Sequence, residues 1–189
     1  MKSSAAPYLG QGNVNPASRS ELLQRVVWGI VQATLFRWSP RFCHGFRAGL
    51  LRAFGADIPE PRSVQIFPTC RVLYPRKLHL GPHALLGPGV RIYNLARIEV
   101  QRGANISQDC HLCAGTHDYR RWSMPLVARP IVVGANAWLC AEVFIGPGVT
   151  VGELAVVGAR SAVRGDIPPR QVCAGNPCVP LKPRPPPQP

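Results

Sequence analysis

An aliphatic residue recurs every six positions through much of this 189-residue chain, and this period constrains the fold more than any other feature. The recurring residues are Leu80, Leu86, Ile92, Val100, Ile106, Leu112, Val133, Leu139, Ile145, Val151, Val157 and Val163. Between Val133 and Val163 the register is unbroken. The residue two positions before each of them is small or aliphatic, so on a strand both side chains point to the same side.

A six-residue repeat fits one short strand and one tight turn. Three such repeats close a triangular coil, and stacked coils pair their strands in parallel while burying the aliphatic residues. An antiparallel sandwich would also alternate apolar and polar residues, but it offers no reason for a fixed six-residue phase. The period therefore predicts an all-β fold, a parallel β-helix of hexapeptide repeats, preceded by a short helical region.

The same period predicts how the chain is divided. Residues 1–58 form an irregular and helical segment, residues 59–172 the β-helix, and residues 173–189 a closing segment with a Pro-rich tail. Twenty residues separate Leu112 from Val133, which is not a whole number of repeats, so we expect an inserted loop over 115–130. A long loop within such a regular fold is more often functional than not. Residues 182–189 are too rich in proline for a strand and are expected to extend as a tail.

The helical segment, residues 20–54, combines apolar, aromatic and basic side chains. Its apolar residues recur at helical spacing and are joined by Trp28 and Trp38, with arginines around them. The apolar run is too short to cross a bilayer. Two interpretations stay open: a helix that caps the open end of the β-helix, and a helix that makes a peripheral contact with a membrane surface.

The charge and the cysteines restrict the partners and the compartment. A net charge of +13 suits an anionic partner, but no nucleic-acid-binding motif accompanies it, so we expect no nucleic acid. Seven cysteines are an odd number, and the Cys110–Cys113 pair has no second pair beside it, which favours free thiols in a reducing compartment. The N-terminus has no pattern of a cleavable signal peptide, so a cytoplasmic location is expected, with the inner face of the membrane as a further option.

Residues 130–184 closely resemble the C-terminal half of the hexapeptide-repeat acetyltransferases, which include the galactoside, maltose and nodulation-factor acetyltransferases. The string FGA at 54–56, IYNL at 92–95 and THDY at 116–119 resemble the colanic-acid-biosynthesis branch of that family. The resemblance implies a left-handed coil and a homotrimer with active sites between neighbouring β-helices. It also implies acetyl-CoA as the donor of an acetyl group that is transferred directly to the acceptor.

The resemblance further implies the catalytic residues. His117 stands at the position of the catalytic base, where a neutral imidazole can take the proton of an attacking hydroxyl. The backbone N–H of Ala141 stands where the family offers a donor to the developing oxyanion. Asp118 is expected to orient the imidazole or to contact the sugar, and Asn94 to contact the acceptor. For Asp118 and Asn94 an exposed loop residue and a turn residue, respectively, stay open as alternatives.

The coenzyme site is also implied by position. Trp138 is expected to pack along the pantetheine arm, and Ala141 and Ala159 to present small side chains and backbone amides to CoA. For Trp138, a side chain that only braces a coil stays open as the alternative. Relatives commonly have a lysine where this chain has Gly165. Arg160 or Arg164 is therefore expected to bind the CoA phosphates instead.

The predicted function is transfer of an acetyl group from acetyl-CoA to a hydroxyl of a saccharide or saccharide precursor, in polysaccharide biosynthesis. Two alternatives stay open: N-acetylation of an amino sugar, and a non-catalytic or zinc-binding hexapeptide-repeat protein. His79 and His83 are four residues apart and His111 and His117 are six apart, but no third ligand has a suitable spacing, so no metal is expected.

Overall fold

The structure is a computed structural model that describes residues 19–186. The chain begins with helix α1 (Arg19–Val31), continues through a π-helical turn (Gln32–Phe36) and adds helix α2 (His44–Ala53) before the first strand. In chain order the strands are β1 (Gln65–Ile66), β2 (Arg71–Val72), β3 (Leu78–Leu80), β4 (Leu85–Leu86), β5 (Arg91–Tyr93), β6 (Ile98–Val100), β7 (Asn105–Ile106), β8 (His111–Cys113), β9 (Gly115–His117), β10 (Leu126–Ala128), β11 (Ile131–Val133), β12 (Trp138–Leu139), β13 (Phe144–Ile145), β14 (Thr150–Val151), β15 (Val156–Val157), β16 (Ala162–Val163), β17 (Gln171–Ala174) and β18 (Val179–Pro183). A 3₁₀ turn at Pro75–Lys77 lies between β2 and β3.

The short strands stack into three parallel faces of a β-helix. Face A contains β3, β6, β11 and β14; face B contains β1, β4, β7, β12, β15 and β17, with β18 at its end; and face C contains β2, β5, β8, β13 and β16. The chain visits the faces in the order B, C, A and then begins the next coil. The predicted fold class, a left-handed parallel β-helix of hexapeptide repeats with a short N-terminal helical region, is confirmed.

The core is the predicted aliphatic ladder. Each of the twelve repeated residues is at most 1% exposed, and the residues two positions before them, such as Ala137 and Val143, are buried as well. Parallel register holds the ladder together: Leu112 pairs with Ile145, which pairs with Val163. Burial of apolar surface along all three faces therefore stabilises the coil, at about 25 cal/mol per Å².

The corners of the coil are sites of close backbone approach and of left-handed backbone conformations. A Cβ built on Gly81 would lie 2.6 Å from the backbone nitrogen of Arg102 in the next coil, so a side chain there would force neighbouring coils apart. At the edge between faces B and C, the turns of successive coils place Gly89, Asp109, Glu142 and Arg160 at φ values of 71°, 58°, 61° and 60°. These left-handed positions let the chain turn sharply after β4, β7, β12 and β15.

Helix α1 docks on the first coil through a side that sequence patterning did not single out. Trp28 is 1% exposed, contacts the rings of Phe36 and Phe54, and donates its indole N–H to the carbonyl of Val72 at 2.7 Å. On the same side, Gln32 accepts a hydrogen bond from the Val72 N–H at 2.6 Å. The indole finds both a buried ring cluster and a free carbonyl there, which an aliphatic side chain could not use.

Most apolar residues of α1 point away from the coil, whereas Val31 packs against the core. The exposed apolar side chains of residues 19–46 are Leu22, Leu23, Val26, Val27, Ile30, Leu35, Trp38, Phe42 and Phe46. Trp28 and Trp38 thus do not share one face, because Trp28 is buried and Trp38 is 80% exposed. Within residues 19–186, no helix combines the length and the apolar character that a membrane span requires.

A buried arginine ties the helical region to the β-helix. Arg47 of α2 is fully buried and donates hydrogen bonds to the carbonyls of Ile66, Pro40 and Arg41 and to the hydroxyl of Ser39. Burial lowers the pKa of Arg47. Four oxygen acceptors satisfy the guanidinium, so α2, the turn before it and β1 are fixed to one another.

The C-terminal segment differs from the expectation in part. Lys182 and Pro183 belong to β18, which pairs antiparallel with β17, so this part of the Pro-rich segment does form a strand. Proline is tolerated there because β18 is an edge strand, whose outward N–H groups have no ladder partner. Residues 187–189 of the expected tail, and the irregular segment expected over 1–18, lie outside the described residues. The three-part division of the chain remains a prediction.

Candidate functional site

The insertion between β8 and β11 is a β-hairpin that carries His117. Strands β9 and β10 pair antiparallel, with His117 opposite Leu126. The ring nitrogen Nδ1 of His117 lies 2.6 Å from the carbonyl oxygen of Met124. A carbonyl can only accept, so Nδ1 carries the proton and donates it. The exposed Nε2 then bears the lone pair, which is the arrangement that a general base needs.

In the described part of the chain, no hydrogen bond joins Asp118 to the imidazole of His117. Its carboxylate accepts hydrogen bonds from the backbone N–H and the Nε of Arg120, at 3.2 and 3.0 Å. The hydrogen bond from the Arg120 side chain lowers the pKa of Asp118. Its N–H donates to the carbonyl of Pro125, which closes the hairpin turn. The main-chain carbonyl of Met124 is instead the hydrogen-bond partner of the imidazole. The sequence could not indicate this partner, because every residue has a main-chain carbonyl.

Ala141 lies at the edge between faces B and C, in the turn before Glu142. Its carbonyl accepts the N–H of Arg160 at 2.9 Å, as the carbonyl of Gln108 accepts that of Glu142. Among the backbone hydrogen bonds of residues 19–186, none uses the N–H of Ala141 or that of Ala159 one coil later. These two amides, stacked at one edge, can therefore donate to a bound ligand.

Trp138 stands on face B beside this edge. Its side chain is 43% exposed, and its indole N–H donates to the hydroxyl of Ser107 at 2.9 Å. The hydrogen bond fixes the ring across two neighbouring coils, because Trp138 of β12 is opposite Asn105 of β7. A fixed, half-exposed indole offers a flat apolar wall next to the free amides.

The two arginines considered for the CoA phosphates lie at different edges. Arg160 is exposed at the B/C edge and forms an ion pair with Glu142, whose carboxylate raises the pKa of Arg160. Arg164 follows β16 and lies at the edge between faces C and A. A Cβ built on Gly165 would meet nothing within 4 Å, so there is open space at this position.

Asn94 follows β5 at the C/A edge and is fully buried. Its Oδ1 accepts the N–H of Tyr74 at 2.9 Å, and its Nδ2 donates to the carbonyl of Tyr74 at 2.7 Å. The amide thus replaces a backbone pairing between two coils. Within the subunit this is a structural role, and contact with an acceptor remains a prediction.

The predicted residues therefore fall into two groups on opposite edges of face C. Ala141, Ala159 and Arg160 lie at the B/C edge, where β12 and β15 end. Asn94 and the hairpin of His117 lie at the C/A edge, where β5 and β8 end. A strand of face C separates the two edges in every coil. Within one subunit the structure does not bring His117 and Ala141 together.

The structure also bears on metal binding and on the cysteines. Among residues 19–186, no group of three or more His, Cys, Asp and Glu side chains could hold a metal ion, and His79 is hydrogen-bonded to Asp57 at 2.8 Å. All seven cysteines are free.

Sequence reasoning missed an outward column on face C, in which Arg71, Arg91 and His111 occupy opposed positions of neighbouring strands. Their spacing of twenty residues was the available signal.

No family model matches the chain, whereas individual proteins do. A protein of Escherichia coli (strain K12) named as a colanic acid biosynthesis acetyltransferase is 44% identical over 158 residues, which are 84% of this chain and 86% of that protein. The galactoside O-acetyltransferase of the same strain is 30% identical over 135 residues, which are 70% of this chain and 66% of that protein.

Solved structures share the fold. A hexapeptide-repeat containing acetyltransferase of Vibrio cholerae O1 biovar eltor, solved in complex with acetyl coenzyme A, superposes with a TM-score of 0.77 at 25% identity. The match covers 88% of this chain and 90% of that one. A galactoside acetyltransferase in complex with coenzyme A superposes with a TM-score of 0.78 at 24% identity, over 89% of this chain and 84% of that one.

Proposed function

Because this chain belongs to the hexapeptide-repeat acetyltransferase family and is an acetyl-CoA-dependent acyltransferase, we propose that it transfers the acetyl group directly to a hydroxyl of a sugar. The observation that carries the proposal is the hydrogen bond between Nδ1 of His117 and the carbonyl of Met124. It leaves Nε2 of an exposed imidazole free to accept a proton. The hairpin that carries this imidazole is a separate two-stranded sheet outside the three faces of the β-helix.

His117 acts as the general base in the proposed reaction. Its Nε2 removes the proton of the sugar hydroxyl while the hydroxyl oxygen attacks the thioester carbonyl. The Met124 carbonyl stabilises the imidazolium that forms, because it accepts the Nδ1–H of a ring that now carries a positive charge. When the tetrahedral intermediate collapses, the carbon–sulfur bond breaks and the imidazolium returns the proton to the departing CoA thiolate. Proton transfer of this kind contributes about 100- to 10,000-fold in rate.

The N–H of Ala141 is the proposed donor to the oxyanion of the intermediate. This N–H has no partner among the backbone hydrogen bonds of residues 19–186, and its turn is fixed by the hydrogen bond from Arg160 N to Ala141 O. A donor that is already oriented needs no reorganisation when the charge develops. Removal of one such donor typically lowers the rate about 100- to 1,000-fold.

The active site requires two subunits, and we propose a homotrimer. His117 and Ala141 lie at opposite edges of face C, so the C/A edge of one subunit must meet the B/C edge of another. An interface that joins two different surfaces is heterologous and closes only as a ring. A ring of three β-helical subunits satisfies this requirement and provides three equivalent clefts between neighbouring subunits.

The coenzyme is proposed to bind along the B/C edge. The free N–H groups of Ala141 and Ala159 would hold the pantetheine arm against the ring of Trp138. Arg160 remains close to this edge for the phosphates, although Glu142 competes for its guanidinium. Arg164 lies at the other edge, so it would reach the same coenzyme from the neighbouring subunit. Asn94 and Asp118 belong to the hairpin side and are proposed to contact the acceptor.

A role in polysaccharide biosynthesis is proposed from the name of the relative that is 44% identical. A cytoplasmic location is proposed from the seven free thiols, which suit a reducing compartment.

The exposed part of the helical region is proposed to touch an anionic membrane surface. Trp38 and Phe42 are 80% and 81% exposed, and Arg37 lies 5.6 Å from the ring of Trp38. Residues 22–56 contain five arginines and no acidic residue. Aromatic side chains beside arginines suit the interface of an anionic bilayer. The buried side of α1 meanwhile caps the first coil, so the two interpretations of this segment are compatible.

A thiol-release assay tests the proposed activity. Purified protein, acetyl-CoA and a panel of neutral, amino and phosphorylated sugars would be incubated with a metal chelator present, and each product identified by mass spectrometry. We expect acetyl-CoA-dependent thiol release with an ester product and undiminished turnover in the chelator. An amide product would move the function to N-acetylation, and loss of turnover on chelation would contradict the metal-free mechanism.

A further inference from the structure

A basic cavity lies where α1 rests against face C. It has a volume of about 400 Å³, and Arg25, Arg71, Arg91, His111 and Tyr93 are among the residues that line it. A second cavity of about 570 Å³ shares Arg71 and Arg91 and adds Arg37. We call the two cavities together the arginine groove. It is formed by residues that neither the proposed base nor the proposed coenzyme site uses.

Two arginines of the groove oppose each other directly. Arg71 of β2 and Arg91 of β5 are paired positions of neighbouring parallel strands. Like charges in such positions destabilise a sheet. Neither arginine forms an ion pair in the part of the chain from 19 to 186, which contains all nine acidic residues. Asp109 lines the second cavity without pairing with either arginine. A bound anion would remove this repulsion.

The groove is also shaped for more than a free ion. Tyr93 is 41% exposed, and the partly buried Leu73 adds apolar surface to the wall of the first cavity. A half-exposed tyrosine ring is a suitable surface for the apolar face of a sugar ring, while the arginines hold its charged substituent. Burial, and then the charge of Arg91, lower the pKa of His111, which favours the uncharged imidazole beside the arginines.

The first cavity of the groove leads toward the proposed base, whereas the second reaches the B/C edge through Gly89 and Asp109. Strand β5 ends at Tyr93, next to Asn94 at the C/A edge, and Tyr93 is opposite Cys113 at the end of β8. The hairpin of His117 begins two residues after Cys113. Arg160 and Arg164, the arginines proposed for CoA, instead lie on the last coils. A ligand in the first cavity therefore approaches His117 from the side opposite to the coenzyme phosphates.

We propose that the acceptor sugar carries an anionic group, a phosphate, pyrophosphate or carboxylate, which Arg71 and Arg91 bind with help from Arg25. This proposal rests on the proposed function, because it describes the acceptor of that reaction. Paired guanidinium groups bind such anions through two parallel N–H donors each, which a neutral sugar cannot use.

Two measurements on the full-length protein test the proposal. The first is calorimetric titration of pyrophosphate into the wild-type protein, into the variant R71Q/R91Q and into R102Q, a matched control because Arg102 is an exposed arginine of the A/B edge. We expect at least a tenfold loss of affinity in R71Q/R91Q and no change in R102Q. Equal affinity in all three proteins would overturn the proposal, as would a loss of the same size in R102Q.

The second measurement is acetyl transfer to glucose, glucose 1-phosphate, glucuronic acid and uridine diphosphate glucose. We expect an anionic sugar to have at least a tenfold higher kcat/KM than glucose. In R71Q/R91Q, the KM for the anionic sugar should rise while the KM for acetyl-CoA stays unchanged.

A preference for glucose would refute the proposal. If no sugar in the panel is acetylated but pyrophosphate binding still depends on Arg71 and Arg91, the sugar acetyltransferase function fails while the anion site stands. A rise in the KM for acetyl-CoA would reassign the groove to the coenzyme. Preference among the three anionic sugars distinguishes carboxylate, phosphate and pyrophosphate.

Discussion

His117 and Met124 face each other across the turn of the hairpin, with 2.6 Å between the ring Nδ1 and the carbonyl oxygen. This contact fixes the tautomer of the imidazole through the backbone, so no carboxylate is needed to orient the base. Asp118, the adjacent acid, is occupied by Arg120. The hairpin turn is closed by further backbone hydrogen bonds, among them Met124 N to Arg121 O at 2.8 Å.

Replacing His117 with alanine should lower kcat about 100- to 10,000-fold, because the base acts mainly in the transition state. The affinity for acetyl-CoA should change little. Steady-state kinetics with the true acceptor and calorimetric titration of CoA measure the two effects. Asp118→Asn is the matched control on the same hairpin, and it should reduce kcat far less than H117A. Near-full activity of H117A would remove His117 from the mechanism.

Replacing Ala141 with proline should remove the proposed oxyanion donor while keeping the turn. Proline suits the first central position of a turn whose second central residue has positive φ. The chain itself contains that arrangement at the same edge, where Pro88 precedes Gly89 with φ 71°. We expect kcat to fall about 100- to 1,000-fold without loss of secondary structure. Gln108→Pro, one coil earlier at the same edge, should retain activity; equal losses in both variants would indicate damage to the turn.

Mixed trimers should reveal a site shared between subunits. Trimers assembled from equal amounts of H117A and A141P subunits contain clefts in which one subunit supplies His117 and its neighbour supplies Ala141. Random assembly places the intact residues together in roughly one quarter of the clefts, so roughly one quarter of wild-type activity should return. A site within one subunit would give no recovery. Light scattering on the same samples checks the trimer, and a fully active monomer would exclude the shared cleft.

Two tryptophans of the helical region should behave in opposite ways. Trp28→Ala should lower the free energy of unfolding by about 3–5 kcal/mol, because it empties a buried site. Trp38→Ala should leave stability nearly unchanged, since Trp38 is 80% exposed. Denaturant unfolding measures both values, and equal losses would mean that Trp38 is buried by a partner or that Trp28 is not part of the core.

Trp38 and the equally exposed Phe42 test the membrane proposal. In co-sedimentation with vesicles of phosphatidylglycerol and phosphatidylcholine, the wild-type protein should pellet with the vesicles. The variant W38S/F42S should stay in the supernatant. Deletion of residues 1–56 is unsuitable for this purpose, because it would also remove Trp28, Phe36 and Arg47 from the core. Vesicle binding that survives W38S/F42S, or that is absent in the wild type, would contradict the membrane contact.

The arginine groove should bind anions more tightly as the pH falls. Burial, and then the charge of Arg91, lower the pKa of His111 below its ordinary 6.5, so the ring is neutral at pH 7.5 and charges only at lower pH. A bound anion favours the charged ring, hence binding takes up a proton and strengthens as the pH falls. Sulfate is a suitable probe because it does not titrate in this range. His111→Gln should abolish the change between pH 7.5 and 5; an unchanged pH profile in H111Q would exclude His111.

The aliphatic ladder and the presence of an insertion could be predicted from the sequence, for a local reason, whereas the hairpin form of the insertion could not. A coil of fixed repeat length buries the same position in every repeat, so residues such as Leu139 and Ile145 report the fold without knowledge of their neighbours. The insertion was visible because it breaks the same period. Family resemblance then pointed to His117 and Ala141, although nothing in the sequence indicates their separation in space.

The tertiary structure alone decided the features that join distant parts of the chain. Trp28 is buried, and the apolar side of α1 exposed, because the first coil offers the indole a ring cluster and the carbonyl of Val72. Asn94 is buried because the backbone of Tyr74, twenty residues earlier, lies beneath it. Likewise, Arg71 and Arg91 meet only because one coil spans twenty residues at that point. A repeating sequence determines which side of each strand faces the core, whereas the number of residues in each coil and the docking of α1 determine which outward side chains become neighbours.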